Sequence, residues 1–436
     1  MKNTIYISIL SLFASTLFLQ AQEIKPISKV EVLSRVSKKN LTIKISVEEF
    51  NAAKADYKQT NAVFLPNITA SHTGISTTNP LMAFGSKLNQ GILTQNDFNP
   101  ALLNDPTTTR NFATKVEIQQ PLINLDGFYQ RKAAKSKMEA MSLKTVRTQD
   151  YLVFEVEKAY MQLQLAYKGV AVLEKALEAA KSNKKMADNS FKQGFLQRAD
   201  VLNVEIRVTE VKNQLQTAKS NVQNASNYLS FLMDDKSYVV YQPTESLTIS
   251  SIHIDNKTIS KNRSDIKAMH LASKGYEAMN KADKMAFLPR LNAFGSYEMY
   301  DNKLFQGNAN GYLIGAQLSW DIFKGSKRFG KEQKSKAEFE KSKLEYNQYV
   351  SKSNLELNKV KRQLIDAKNR LELTDLAVQQ SEESLRIRKN RFKEGLEKTS
   401  DLLIAETQFA QKQLEYYQTI FEYNFTQRYL EFLTKE

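Results

Sequence analysis

From residue 128 to residue 190 the chain holds no proline and a single glycine, Gly169, and its apolar residues fall on a helical stripe. Leu152, Val156, Ala159, Leu163, Ala166, Val170, Leu173, Leu177 and Ala180 step alternately by four and three. So do Val204, Val208, Val211, Leu215, Ala218, Val222, Ala225, Leu229 and Leu232. Leu357, Val360, Leu364, Ala367, Leu371 and Val378 keep the same spacing, with Thr374 filling one place. A stripe of period about 3.5 specifies helices lying side by side with knobs in holes, and Ala and Val at many seam positions allow close approach. At ~1.5 Å per residue the 128–190 stretch predicts a helix of roughly 95 Å, and 326–391 predicts a second of similar length.

Elsewhere the period changes to two. Tyr312, Ile314, Ala316, Leu318, Trp320 and Ile322 form one face, opposed by Gly315, Gln317, Ser319 and Asp321, with Leu313 the exception. Leu291, Ala293, Tyr297 and Met299 oppose Asn292, Ser296 and Glu298. Earlier in the chain, Phe112, Val116 and Ile118 oppose Lys115, Glu117 and Gln119, and Ile68 and Ala70 oppose Asn67, Thr69 and Ser71. These are four strands with one apolar and one wet face.

The two patterns recur in order. Phe64-Leu65-Pro66-Asn67-Ile68-Thr69-Ala70 returns as Phe287-Leu288-Pro289-Arg290-Leu291-Asn292-Ala293, 223 residues on from Pro66 to Pro289. Phe191-Lys192-Gln193-Gly194 returns as Phe392-Lys393-Glu394-Gly395, 201 residues on, and Asp200-Val201-Leu202 as Asp401-Leu402-Leu403 at the same offset. One unit is therefore duplicated, each half reading helix, strand, loop, strand, long helix, turn, returning helix. Helical stretches over 47–63 and 265–286 precede the Phe-Leu-Pro marks, where proline stops the helix. The first half is longer because of residues 76–110, rich in Asn, Thr and Pro, which read as a loop on the far side of the strands.

Residues 1–22 read as an export signal. Met1-Lys2-Asn3-Thr4 carries one positive charge, residues 5–19 are apolar and uncharged, and Gln20-Ala21-Gln22 is the cleavage zone. No later run approaches ~18 consecutive apolar residues, so membrane passage falls to the strands. A sheet in lipid must close, because lipid offers unpaired edges no hydrogen bond. Four strands cannot close; two chains would give eight, with an interior filled by side chains, and three would give twelve and a wet lumen.

Composition narrows the chemistry. Among 436 residues there is no cysteine, which removes disulfides, thiolate metal sites and a lipidated cysteine, and the three histidines (His72, His253, His270) have no ligand spacing. Gly (14) and Pro (8) are scarce, which favours long helices over a loop-rich enzyme. The formal charge of +15 comes from lysines interleaved with glutamates, as in Lys331-Glu332-Gln333-Lys334, a solvated helix face and not a nucleic-acid surface. No phosphate loop, histidine pair or triad emerges, so the reading is of a non-enzyme without metal or cofactor.

The chain resembles the TolC family of outer-membrane efflux ducts. The resemblance is carried by the duplicated Phe-Leu-Pro marks, the Trp320-Asp321-Ile322-Phe323-Lys324-Gly325 strand exit and the paired Phe-Lys-x-Gly and Asp-(Val/Leu)-Leu marks. Asn262-Arg263-Ser264-Asp265-Ile266 adds to it, with serine where the family's Arg-Pro-Asp-Ile mark has proline. The resemblance implies a mainly α protein with a β-barrel part: a homotrimer, four strands per chain closing a twelve-strand outer-membrane barrel continued by a periplasmic helical tunnel. It implies a passive exit duct of tripartite efflux or type I secretion. Its partners would be outer-membrane lipid, a periplasmic adaptor (membrane fusion) protein and an inner-membrane pump of RND or ABC type. The segments would be 23–63 and 263–286 (leading helices), 64–127 and 287–325 (strand pairs), 128–233 and 326–436 (long and returning helices) and 234–262 (equatorial).

By the same resemblance Gly194 and Gly395 mark the periplasmic tip turns, with Lys192 and Lys393 beside them as adaptor contacts or solvated surface. Asp401 matches the family's acidic gate and Asp200 is its first-half counterpart; Ile404 stands where some members carry a second aspartate. Each aspartate has a second reading, as a charge or cap at a helix N-terminus. The rival function is a secreted coiled-coil scaffold or periplasmic adaptor that never enters a membrane; the duplicated strand pairs count against it.

Overall fold

The computed structural model describes residues 24–237, 239–250 and 258–436; the expected signal over 1–22 and His253 lie outside the described residues. In chain order come β1 (Ile24–Ile27), α1 (Lys29–Lys39), α2 (Leu41–Gln59), β2 (Asn67–Thr77), α3 (Pro80–Asn89), α4 (Pro100–Asn104) and β3 (Thr109–Ile123). The 68-residue α5 (Leu125–Lys192) and α6 (Arg198–Met233) complete the first half. The second runs β4 (Val240–Pro243), α7 (Ser264–Met285), β5 (Arg290–Asp301), β6 (Ala309–Ser319), the 67-residue α8 (Lys327–Lys393) and α9 (Thr399–Thr434). The duplicated order of strands, long helix and returning helix is thus present in the fold.

Two compact units result, one holding the described residues up to 48 with 144–266 and 349–436, the other 49–143 and 267–348. In the first, the helical seams read from the sequence are the core: Leu152, Val156, Ala159 and Leu163 of α5, Val204, Val208 and Val211 of α6, and Leu357 and Val360 of α8 are buried. A short parallel pair, β1 with β4, belongs to this unit. It is fixed where Tyr160 on α5 donates to the Ile27 carbonyl (3.1 Å) and the Tyr241 amide donates to Ser226 Oγ (2.8 Å).

Arg263 and Asp265 explain their own mark. Arg263 is 2% exposed and donates to Asp265 Oδ1 (2.6 Å), the Leu433 carbonyl (2.9 Å) and Ser353 Oγ (2.9 Å), tying the start of α7 to α8 and α9. Ser264 is the first residue of α7, a position whose N–H has no intrahelical acceptor and which therefore suits proline as well as serine.

The second unit carries a four-stranded antiparallel sheet in the order β2-β3-β5-β6. Its register gathers the separate polar faces into one. Ser71, Lys115, Glu298 and Gly311 share a row, as do Thr69, Glu117, Ser296 and Leu313. The interleaved rows are apolar: Ile68, Ile118, Gly295 and Ile314; Ala70, Val116, Tyr297 and Tyr312. Beside the sheet, α7 meets α8 along a small polar seam in which Ser273 and Ser342 hydroxyls are 3.0 Å apart and Asn280 donates to Ser335 (3.1 Å).

Two expectations need correction. The alternation that runs to Ile322 in the sequence stops as strand at Ser319, opposite Arg290. The residue before Arg290 is Pro289, which has no amide to extend the ladder, and the Trp320 indole donates to the Phe287 carbonyl (2.9 Å). Residues 76–110, expected as loop, contain α3 and α4. Asn79 caps the first by accepting from the Met82 amide (3.2 Å), Asn99 caps the second by accepting from the Ala101 amide (3.0 Å), and each is followed by proline at the first helical position.

Candidate functional site

Two features answer to the candidate chemistry. The first is the sheet's polar face. In a half-solvated antiparallel sheet the wet side is set by side-chain parity, and here the polar side of all four strands coincides, while Ile314, Tyr312 and Leu318 on the other side are 78%, 79% and 68% exposed. An exposed apolar face of this kind marks a surface that a membrane or a partner covers. Among the described residues no helix is long and apolar enough to cross a membrane.

The second feature is the pair of hairpin tips, both in the first unit. After α5, Gly194 adopts φ +81°; its amide donates to the Phe191 carbonyl (3.0 Å) and the Phe195 amide to that of Ser190 (2.9 Å). After α8, Gly395 at φ +72° repeats the pattern onto Phe392 (3.1 Å), and Leu396 onto Arg391 (2.9 Å). This is the left-handed ending that only glycine adopts without cost, so both glycines turn one helix into the next. Lys192 and Lys393 lie beside them, exposed.

The two aspartates differ. Asp200 Oδ2 accepts from the Gln197 amide (3.2 Å), closing a capping box at the start of α6. Asp401 also lies in the first turn of its helix, yet its carboxylate takes only the Ser400 hydroxyl (3.3 Å) among the described contacts. The second tip is braced instead by Glu397, which accepts from Arg388 (2.6 Å) and Arg391 (2.8 Å).

Sequence reasoning missed a buried polar group behind the tips. Asn183 on α5 and Glu406 on α9 are hydrogen-bonded to each other, both under 10% exposed. Burial pushes the Glu406 carboxyl up from its ordinary value, opposed by the Arg207 charge and the Asn183 hydrogen bond. Arg207, 6% exposed, stands next to Val208 in the α6 seam, and that cation beside the stripe was the one sequence signal.

The family model for outer membrane efflux proteins matches residues 32–234 and 257–430. The chain belongs to that family. Among solved structures it is similar to a membrane protein from Pseudomonas aeruginosa, at 16% identity over 93% of both chains with a TM-score of 0.82. It is similar to the CmeC outer membrane channel of Campylobacter jejuni, at 16% identity over 93% of this chain and 85% of that one, TM-score 0.81. The outer membrane protein VceC of Vibrio cholerae gives 15% over 92% and 95%, TM-score 0.78. Curated proteins give no significant match. The protein is an exit duct of the outer membrane with a periplasmic extension, as its sequence resemblance implied. Efflux ducts of this family work with an adaptor and a pump, and the scaffold reading is set aside.

Proposed function

We propose that three copies of this chain close one duct, and the free sheet edges carry the proposal. β2 and β6, each 11 residues, are the outer strands of the sheet, and among the described residues their outward edges pair with no further strand. Pairing β6 of one copy with β2 of the next leaves no edge after three copies and encloses the polar face in a twelve-strand barrel with the apolar face toward lipid. Segments 64–127 and 287–325 build the barrel, and 128–233 and 326–436 the tunnel. A periplasmic adaptor meets the tips near Gly194, Gly395, Lys192 and Lys393, with an inner-membrane pump of RND or ABC type, or a type I secretion system, beyond it.

Asp401 is the gate charge in this reading, because its carboxylate is not spent on a helix cap; Asp200's is, so it serves the fold of its tip. Three symmetry-related carboxylates at a narrow mouth repel one another and hold divalent cations. The test is conductance of the purified channel in planar bilayers: Asp401→Ala raises conductance and relieves divalent block, while Asp200→Ala does neither. Unchanged conductance and block in Asp401→Ala would remove the gate role.

A further inference from the structure

The polar face of the sheet is almost free of charge. Between Arg290 at the helix-side rim, held by Asp126 (3.0 and 2.5 Å), and the far ends of the strands, its charged residues are Lys115, Glu117 and Glu298. They form one group. Lys115 Nζ lies 2.9 Å from Glu117 and 3.4 Å from Glu298, on adjacent rows of β3 and β5. Gln119 donates to Glu117 (2.9 Å), and Tyr300 and Ser296 both donate to Glu298. The three side chains keep 38%, 31% and 28% of their surface exposed, so the group faces open space. Arg110 and Asp301 fall on the opposite parity.

One lysine against two carboxylates leaves one negative charge per copy. The donors around Glu117 and Glu298 hold both carboxyl groups at one depth, halfway along β3. We propose that this group sets the charge preference of the membrane section of the duct, favouring cations and cationic solutes. The proposal rests on the closed three-copy barrel, where the group becomes a belt of three uncompensated negative charges. In a low-dielectric wall such a belt acts on every permeating ion, independently of Asp401.

A charge-graded series tests it by reversal potential in a KCl gradient across planar bilayers of zwitterionic lipid, near 0.1 M salt where the screening length is ~10 Å. Asp401→Ala is the common background, so the tip ring does not mask the belt. Lys115→Gln leaves two negative charges per copy, the unaltered belt one, Glu298→Gln none, and Glu117→Gln with Glu298→Gln one positive. The K+ to Cl− permeability ratio is expected to fall in that order, with the last variant inverting to anion preference and the differences shrinking at 1 M salt, where screening falls to ~3 Å. Conducting channels with one common ratio across the series would overturn the belt and leave the barrel standing. Absence of conductance in the parent would overturn the closed barrel, and the belt with it.

Discussion

Asp265 is the residue on which the joint between α7, α8 and α9 turns, and its removal has a calculable cost. Its carboxylate receives Arg263 Nε (2.6 Å) and the Tyr349 hydroxyl (2.6 Å), and Arg147 Nε lies 3.4 Å away. Side-chain exposures are 3% for Arg263, 12% for Arg147 and 14% for Asp265. Burial acts to raise the Asp265 pKa, but the hydrogen bonds from Arg263 and Tyr349 and the charge of Arg147 outweigh it and hold the group below its ordinary value. Asp265→Ala leaves two largely buried guanidiniums without the carboxylate they share, a change that costs ~3–5 kcal/mol. Asp265→Asn keeps an acceptor but loses the charge, for about 1.5–2 kcal/mol as a charged hydrogen bond becomes a neutral one. Hydrogen exchange reads this locally at residues 262–268 and 430–434. The alanine variant should exchange ~100-fold or more faster and the asparagine variant roughly ten- to thirtyfold, since 1.4 kcal/mol is a factor of ten. A folded carboxyl pKa below the unfolded value contributes stability that is present above the unfolded value, near 3.8, and lost as pH falls through the folded one. Protection of these segments should therefore hold from neutral pH to about 5 and fail only in stronger acid. An alanine variant within threefold of wild type would refute the counter-charge argument.

Other outcomes follow from single contacts. Glu406, whose folded pKa lies above its ordinary 4.5, works in the opposite sense: its neutral form suits the buried site, so protection of 180–186 and 403–409 should rise as pH falls from 7 toward 4.5, and Glu406→Gln should abolish that dependence. Gly395→Ala meets no neighbouring atom within 4 Å, so its cost is conformational alone, ~1–2 kcal/mol, read as up to about thirtyfold faster exchange at the tip, with Gly395→Asn milder. A Cβ at Gly315 would stand 2.6 Å from the Phe294 ring that covers it; Gly315→Ala should cost ~1–3 kcal/mol in thermal melts of the detergent-solubilised protein, and adding Phe294→Ala should recover most of it.

The legible parts of this fold were those governed by periodicity. Val156, Leu163, Val211 and Val360 could be placed in seams because a 3.5 repeat without proline has one low-energy arrangement, and each is at most 1% exposed. The strand faces were legible because parity is a local property, and the β2–β3–β5–β6 register keeps the polar parities together. Strand ends were not: whether Trp320 belongs to β6 depends on Pro289, just ahead of the partner strand, which alternation within β6 cannot report. Nor were α3 and α4, since Asn-Pro opens a turn or a helix alike until the Met82 or Ala101 amide turns back to the asparagine. Asp200 and Asp401 look equivalent as sequence marks, and only the hydrogen bond to the Gln197 amide separates them. The Asn183–Glu406 contact joins residues 223 positions apart on different hairpins, and nothing in either helix alone announces it.

Electron microscopy of the particle extracted from the outer-membrane fraction in detergent tests the central claim most directly. A three-fold hollow cylinder is expected, with twelve strands inside the detergent belt, β6 of each copy paired with β2 of the next and the helices protruding on one side. A single copy, or an assembly whose β2 and β6 edges stay unpaired, would contradict it.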